Sequence, residues 1–303
     1  MIIDCHAHVA SLFSIPQVFF DGWCETMGSN MPRKLTMREL DLLKSRMSHL
    51  QSDEQCDAMV QEMDAAGITQ SVLLIIDFSH HFGELAADLK ELHAYHRAIA
   101  ARHPGRFLLF AGADPRNGRE GVELFETSIK EHGFRGLKLY PPCGYSPSDP
   151  ALDPYYALCE QYRIPVLTHI GPTTSRMPFS HTEPRDVDRA AYRFSKVNFI
   201  LGHAGAKHYR EAALLAEYRP NVFLDISGFQ TELRRGSFDE IARFHKSRGI
   251  SRKLLFGTDW PVHRLDGRQV QWVEAVRDLA RRSILTVADT NGLFFENFMR
   301  LYE

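Results

Sequence analysis

Eight short apolar runs recur along the chain, each bounded by turn residues. The runs are MIIDCHAH (1–8), SVLLII (71–76), FLLFAG (107–112), RGLKLY (135–140), PVLTHI (165–170), NFILGHAG (198–205), VFLDIS (222–227) and KLLFGTD (253–259). Most segments between these runs show the spacing of amphipathic helices. Nearly continuous apolar character is typical of strands buried on both faces, as in parallel sheets that helices cover. The pattern therefore predicts eight alternating βα units.

Eight βα units that close on themselves form a (β/α)8 TIM barrel of the α/β class. A doubly wound open sheet is the alternative. Such a sheet usually carries a glycine-rich turn after its first strand, and the segment CHAHVAS contains no glycine. The sequence shows no internal repeat, low-complexity tract or interdomain linker. We therefore predict one barrel domain over residues 1–303.

Residues 9–52, between the first and second predicted strands, are far longer than an ordinary loop. They include Phe, Met and Trp residues and a predicted helix, TMRELDLLKSRMSHL. Loops that follow the strands of a barrel rise over its active-site end, so this segment is predicted to form a helical lid or pocket wall. The alternative is a peripheral insertion or a contact between two copies in a homodimer.

Three further predictions concern helices. In SDEQCDAMVQEMDAAG, Ser52 and Gln55 are spaced as a capping box, and Gly67 stands at the position of a C-cap glycine. His93 and His96 are predicted to lie at the surface of a helix outside the barrel. The C-terminal segment TVADTNGLFFENFMRLYE is predicted to form a short helix that covers the barrel exterior.

Composition limits the classes of partner. The 303 residues are 44% hydrophobic, which is enough for a large core, and the net charge of −2 argues against general binding to nucleic acid or anionic membranes. No run of 18 apolar residues suggests a membrane span. The five cysteines are odd in number and scattered, and no signal-peptide pattern is present. A cytoplasmic protein with free thiols is therefore expected.

Polar residues cluster at the carboxyl ends of the predicted strands. They are His6, His8, Lys138, His169, His203 and Asp259. A His-x-His pair alone arises easily by chance, but these strand ends form one rim of a barrel, the rim that carries the active site. Histidine nitrogens and a carboxylate oxygen suit Zn²⁺ best, with Mn²⁺ and Fe²⁺ as alternatives. The sequence therefore predicts a metal centre at this rim.

The alternation of side chains along the first strand refines this picture. It predicts that Asp4, His6 and His8 share one face, while Cys5 and Ala7 take the other. Because Asp4 would lie deeper in the barrel than the histidines, we expect it to be a buried partner and not a ligand.

Four motifs on these strands, DCHAH, LTHIG, ILGHAG and LFGTDWPV, occur in a fixed order. Together they resemble the amidohydrolase superfamily, and most nearly the branch that contains aminocarboxymuconate semialdehyde decarboxylase and γ-resorcylate decarboxylase. The resemblance covers essentially the whole chain. It implies that His6, His8, His169 and Asp259 bind the metal, and that His203 is an acid/base residue or a ligand of a second metal.

Lys138, in the segment GLKLYPP, has three interpretations. Binuclear members of the superfamily carboxylate a lysine on this strand to bridge two metal ions, so the resemblance implies one or two ions per chain. In the second interpretation, Lys138 is a cation that receives an anionic substrate. In the third, it is a structural residue paired with an acidic side chain.

The expected reaction is hydrolysis of an amide, lactone or ester-like bond in a small molecule, because a metal ion with an open position lowers the pKa of bound water toward neutrality. Asp259 would shuttle the proton, and His203 would stabilise the developing oxyanion. The alternative is non-oxidative decarboxylation of an unsaturated or aromatic carboxylate. That reaction needs a further cation, for which the candidates are Arg33, Arg46 and Arg176. A third alternative is a non-catalytic metal-binding barrel.

Overall fold

The computed structural model describes residues 1–50 and 52–303, with all of their side chains except those of residues 50, 206 and 265. Eight parallel strands form one sheet in chain order. They are β1 (Ile3–Ala7), β2 (Gln70–Leu74), β3 (Phe107–Ala113), β4 (Gly136–Leu139), β5 (Val166–Thr168), β6 (Phe199–Leu201), β7 (Val222–Asp225) and β8 (Leu254–Leu255).

The sheet closes into a barrel because the residues in and after β8 bond to β1. Cys5 N donates to the carbonyl of Phe256 at 2.8 Å, and Asp259 N donates to the carbonyl of His6 at 2.7 Å. The next hydrogen bond along this seam runs from His8 N to the Trp260 carbonyl. The predicted (β/α)8 TIM barrel is confirmed.

Helices occupy the segments between the strands, and their apolar faces cover the outside of the barrel. The α-helices are α1 (Gln17–Ser29), α2 (Met37–Leu50), α3 (Asp57–Ala66), α4 (Ser79–Phe82), α5 (Leu89–Arg102), α6 (Gly118–His132), α7 (Asp153–Tyr162), α8 (Asp188–Arg193), α9 (Tyr209–Tyr218), α10 (Gln230–Arg235), α11 (Phe238–Ser247), α12 (Gln269–Arg281), α13 (Val287–Asn291) and α14 (Asn297–Met299). None of the helices in the described part of the chain is long and apolar enough to cross a membrane.

A separate apolar cluster fills the inside of the barrel. This interior cluster consists of Ile3, Cys5, Val72, Leu74, Phe110, Leu167, Ile200, Phe223, Leu255, Phe298 and Leu301. The Phe110 ring packs against the backbone of Gly136, where a Cβ atom would lie only 2.5 Å from the ring. The barrel is therefore a packed core below its polar rim, as in other barrels of this architecture.

The C-terminal segment belongs to this interior cluster through Phe298 and Leu301. It sits at the amino ends of the strands, since Asn297 Nδ2 donates to the carbonyl of Leu254 at 2.8 Å and Asn198 Nδ2 donates to that of Leu301 at 2.9 Å. The segment is helical as predicted, but Phe298 and Leu301 enter the barrel interior, which differs from the predicted cover of the barrel exterior. It closes the end of the barrel opposite the polar rim.

A register shift in β1 changes which side chains enter the barrel. The pairing of β1 with β2 shifts between Asp4 and Ala7. Cys5 packs in the interior cluster, and the prediction that it faces away from His6 is therefore wrong. Asp4 is buried, as predicted, and accepts hydrogen bonds from Thr258 N at 2.9 Å and Thr258 Oγ1 at 2.7 Å.

The start of α3 uses a different cap from the predicted one. Two backbone amides of its first turn donate to the carboxylate of Asp53, at 3.0 and 2.8 Å. The capping box predicted for Ser52 and Gln55 is therefore wrong, because the carboxylate between them takes its place. Gly67 ends α3 with a φ of 71°, which confirms the predicted C-cap.

Two histidines of α5 are core residues. His93 is 3% exposed and His96 is 1% exposed, so the prediction that they lie at the surface is wrong. His93 Nδ1 lies 2.9 Å from Ser128 Oγ, and His96 Nδ1 lies 2.8 Å from the carbonyl of Leu92. Both positions continue the buried stripe that contains Leu92 and Ile99.

The long segment between β1 and β2 folds into α1 and α2, which pack against each other. Residue 51 of the predicted lid, 9–52, lies outside the described residues. α1 rests on the loop after β5, where Ser175 Oγ donates to the carbonyl of Gly22 at 3.0 Å. Through Phe19, whose ring centroid lies 5.5 Å from that of Phe78, α1 reaches the aromatic residues at the barrel mouth. Movement of this segment as a lid stays a prediction.

Candidate metal centre

Three ligand atoms converge at the seam between β1 and β8. Asp259 Oδ1 lies 3.5 Å from His6 Nε2 and 3.5 Å from His8 Nε2. These distances are too long for good hydrogen bonds. Two ligands of one tetrahedral zinc ion, each about 2.0–2.1 Å from it, are about 3.3 Å apart. The spacing therefore fits donors arranged around a cation, and the three residues form a group able to hold one.

The other ring nitrogen of each histidine fixes this arrangement. His6 Nδ1 lies 2.5 Å from Asp225 Oδ2, and His8 Nδ1 lies 3.0 Å from the carbonyl of Leu74. Since a carboxylate and a carbonyl are acceptors, each Nδ1 carries the proton and each Nε2 keeps its lone pair. A histidine that binds a metal usually donates its second N–H in this way.

Burial supports the same assignment. His6 is fully buried, and its Nε2 has no hydrogen-bond partner among the described residues. An unsatisfied buried polar atom costs about 1–3 kcal/mol, so a ligand for this atom would remove the cost. Burial also lowers the pKa of His8 to about 3 and that of His6 well below its usual range. Both rings are therefore neutral, which is the form that binds metals.

Asp259 completes the group from a constrained position. Its backbone φ is 51°, in the left-handed region that residues other than glycine rarely adopt. Backbone strain of this kind is often held at functional sites. Burial raises the pKa of its carboxyl, while His263 and Lys138 act in the opposite direction. The carboxyl can therefore carry a proton closer to neutral pH than an exposed aspartate.

His169 and His203 lie beside this group as a pair. His169 Nδ1 is 3.1 Å from His203 Nε2, and His169 Nε2 is 3.2 Å from the carbonyl of Pro172. Neither nitrogen of His169 is directed at the ligand atoms described above, so its role as a ligand stays a prediction. His203 belongs to a second group of three residues able to hold a metal ion, with His6 and Asp225. The centroid of the Tyr140 ring lies 4.7 Å from the centroid of the His169 ring, and the two rings are tilted relative to each other.

Lys138 is a buried cation at the same rim. It is 1% exposed, and its Nζ has no hydrogen-bond partner among the described residues. Burial lowers the pKa of Lys138, and the negative charges of Asp259 and Asp225 partly oppose this shift. Its positive charge in turn contributes to the low pKa of His8. The structural interpretation requires an acidic side chain hydrogen-bonded to Lys138, and the described residues include none.

The arginines considered as carboxylate clamps lie elsewhere. Arg33 and Arg46 are exposed on the insertion, and Arg33 Nη1 donates to Glu39 at 2.9 Å. Arg176 is ion-paired with Glu25 at 2.5 Å. Of Lys138 and these three arginines, Lys138 is the one that lies at the rim beside the histidines.

Two residues of this site were missed by the sequence analysis. Asp225 ends β7, and Ser227 follows two positions later. The segment VFLDIS contains the signal, because Asp225 stands at a strand end like the other rim residues. It was overlooked because no histidine or known motif accompanies it.

Comparison with known proteins places this chain in a family. A family model described as Amidohydrolase matches residues 3–303. A comparison with curated proteins finds no match. The motifs DCHAH, LTHIG, ILGHAG and LFGTDWPV lie within the matched range.

Solved structures share the fold at low sequence identity. An uncharacterised TIM-barrel protein from Bordetella bronchiseptica is 20% identical, with a TM-score of 0.67 over 99% of this chain and 97% of its own. The 5-carboxyvanillate decarboxylase of Sphingomonas paucimobilis is 13% identical, with a TM-score of 0.66 over 99% and 98%. A dihydroxybenzoic acid decarboxylase from Polaromonas sp. JS666, solved with manganese and 2-nitroresorcinol, is 16% identical, with a TM-score of 0.65 over 99% and 97%. With a family model that matches nearly its whole length, the chain belongs to the amidohydrolase family.

Proposed function

We propose that the protein is a metal-dependent decarboxylase that removes CO2, without oxidation, from an aromatic or unsaturated carboxylate. The observation that carries this proposal is Lys138, a buried cation with an unpartnered Nζ at the rim that holds His6, His8 and Asp259. A carboxylate is the natural partner of such a cation. The decarboxylases among proteins of similar fold support the same reaction.

The ligands of the metal are proposed to be His6, His8 and Asp259, with His169 as the fourth after a change in its hydrogen bonds. Nitrogen and carboxylate donors suit Zn²⁺ and Mn²⁺ alike, and manganese is present in the dihydroxybenzoic acid decarboxylase from Polaromonas. When bound, a divalent ion supplies Lewis-acid polarisation of substrate oxygen atoms.

Aromatic side chains supply the apolar wall of the proposed substrate site. Phe78 and Tyr140 pack with ring centroids 5.5 Å apart, and Phe19 of α1 lies 6.4 Å from Tyr140. Tyr140 in turn contacts His169. Rings at such separations stack or pack edge to face with a further ring. A planar aromatic or conjugated substrate fits this wall better than a saturated one.

The reaction needs a proton and a hold on the carboxylate, and the chain has a residue for each. Lys138 binds and orients the carboxylate that leaves. Asp259 stands beside His6 and His8 as the residue that delivers the proton, which it takes up from the substrate or from solvent. It gives this proton to the substrate carbon that bears the carboxylate. The bond between that carbon and the carboxylate then breaks, its electron pair stays with the substrate, and CO2 departs.

The test is a screen of hydroxylated benzoates, unsaturated dicarboxylates, lactones and N-acyl amino acids with the zinc- or manganese-loaded protein. CO2 release and incorporation of oxygen from ¹⁸O-labelled water are both measured. One CO2 per product, with no ¹⁸O in the product, is expected. Turnover that incorporates ¹⁸O without CO2 release would overturn the proposal.

Hydrolysis is the second candidate, and the position of Asp259 favours it. Its carboxylate lies beside both His6 and His8, where a base must stand to take a proton from an activated water molecule. Replacing Asp259 does not separate the reactions, because Asp259→Asn should lower kcat by about 10²–10⁴-fold in either one. The labelled-water measurement does separate them.

A further inference from the structure

We infer that Asp225 is a positioning residue of the metal centre, which holds His6 with Nε2 directed at the metal, and that Ser227 extends this hold to His203. The inference rests on the metal centre of the proposed function but not on the reaction. Asp225 is the last residue of β7. Around the barrel, β8 lies between β7 and β1, the strand that carries His6. The sequence motifs do not include it.

Asp225 is surrounded by donors. Its Oδ2 lies 2.5 Å from His6 Nδ1 and 2.9 Å from Ser227 Oγ, and its Oδ1 accepts from Ser227 N at 2.6 Å. A fourth, longer contact comes from the backbone N–H of His203 at 3.4 Å. With donors directed at both of its oxygens, the carboxyl group of Asp225 is arranged as an acceptor for His6 Nδ1. The proton of His6 therefore sits on Nδ1.

Ser227 links the same carboxylate to a second histidine. Its Oγ lies 3.0 Å from His203 Nδ1, as well as 2.9 Å from Asp225 Oδ2. A hydroxyl donates one hydrogen and can accept another. Donation to Asp225 leaves Ser227 to accept from His203 Nδ1. The side chains of β7 thus set the ring orientation of His6 directly and of His203 through one intermediate.

The neighbouring strands leave room for this contact. A Cβ atom on Gly257, just after β8, would overlap Asp225 Oδ1 and lie 3.1 Å from His6 Cβ. A Cβ atom on Gly202, just after β6, would lie 3.4 Å from His6 Cε1. The carboxylate of Asp225 therefore occupies space that the missing side chain of Gly257 leaves empty, while Gly202 is only in ordinary contact distance of the imidazole.

The alternative for Asp225 is a direct role as ligand of a second metal, with His6 and His203. The distance decides against it. Two ligands of one ion are about 3.3 Å apart, whereas His6 Nδ1 and Asp225 Oδ2 are 2.5 Å apart, the distance of a short hydrogen bond. A metal between them would have to push the pair apart.

The test compares metal affinity in Asp225→Asn and the wild type. Zn²⁺ and Mn²⁺ are titrated against a chromophoric chelator with the full-length protein, and bound metal is counted. We expect about 10–100-fold weaker binding in the variant, the usual effect of losing a partner of a ligand histidine, with the number of ions unchanged. Asp114→Asn is the matched control, because it neutralises a fully buried carboxylate, just after β3, whose side-chain partner is Arg116 and not a proposed ligand of the metal. It should retain wild-type affinity within about threefold.

Equal affinities of Asp225→Asn and the wild type would overturn the inference. Loss of one of two bound ions, with unchanged affinity for the other, would overturn it in favour of a second-metal ligand. A wild-type protein that binds no metal would instead remove the proposed function.

A second measurement avoids any variant at position 225. In ¹⁵N-histidine NMR spectra of the zinc-loaded wild type, we expect His6, identified by loss of its signal in His6→Gln, to carry its proton on Nδ1. A proton on Nε2 would contradict the inference even if Asp225→Asn fails to fold.

Discussion

The lysine of β4 distinguishes two kinds of metal centre. If Lys138 binds the substrate carboxylate, Lys138→Gln should raise KM for a carboxylate substrate at least 10-fold and leave the bound metal unchanged, because the side chain touches substrate and not metal. Steady-state kinetics and elemental analysis of the same samples check this. Halved metal content, or activity that depends on dissolved CO2 during reconstitution, would show instead that the lysine is carboxylated and bridges two ions.

A glycine beside the site gives a second prediction for a single residue. Gly257→Ala should weaken metal binding, although it removes no polar group, because its new Cβ displaces Asp225 from His6. Gly121→Ala is the control, since its Cβ would overlap Tyr155 and Asn117 and would not meet Asp225 or His6. Both variants should be less stable than the wild type, as expected for overpacking. Only Gly257→Ala should change the affinity measured by chelator competition.

Single residues also show where sequence reasoning succeeds and where it stops. The rim histidines were predictable because each follows an apolar run, and a barrel gathers strand ends at one rim. His93 and His96 were assigned wrongly because polarity was weighed above spacing. They lie four and seven positions after Leu89, on the buried face of α5. The partner of His6 was not predictable from spacing alone, because 219 positions separate it from Asp225.

At the scale of the element, apolar runs predicted all eight strands, but nothing in the sequence pattern indicated where a strand is irregular. The register shift in β1 depends on how its backbone pairs with β2 and with the residues after β8. Such a shift is a property of the assembled sheet. For the same reason, the C-terminal helix could be predicted from its pattern, while its entry into the barrel end could not.

This C-terminal segment supplies the prediction for an element. Phe298→Ala should lower the free energy of unfolding by about 3–5 kcal/mol, the usual cost of removing a buried Phe side chain, because Phe298 fills the interior cluster. Met299→Ala is the control on the same helix, since Met299 is 45% exposed. Urea denaturation followed by circular dichroism measures both. A Phe298→Ala variant as stable as Met299→Ala would show that the segment does not close the barrel.

At the scale of the whole molecule, buried histidines should make stability fall in acid. Burial lowers the pKa of His93 to about 3 and of His96 to about 4. In the unfolded chain, both groups titrate near 6.5. Their contribution is therefore fully present above about pH 6.5. It is lost as the pH falls toward 4, where the unfolded chain binds protons that the folded chain does not.

The variant His96→Leu isolates this effect from other groups, such as Asp4, whose burial raises its pKa and acts in the opposite direction. Its free energy of unfolding, measured by urea denaturation, should fall less steeply than that of the wild type between pH 6.5 and 4.5, by up to about 1.4 kcal/mol per pH unit. Both proteins are compared at saturating zinc. Parallel curves for the two proteins would show that His96 is protonated equally in both states.

A metal ion bound at the seam between β1 and β8 would also restrict the conformations of the chain. His6 and His8 come from the first strand and Asp259 from just beyond the last, so a bound ion joins segments about 250 residues apart in sequence. Regular β8 pairing spans only two residues, and a few backbone bonds hold the two ends together. The ion would act as a reversible cross-link that closes the largest loop in the molecule. Chelation should therefore speed amide hydrogen exchange at Cys5, His8 and Asp259 before it affects β3 or β4.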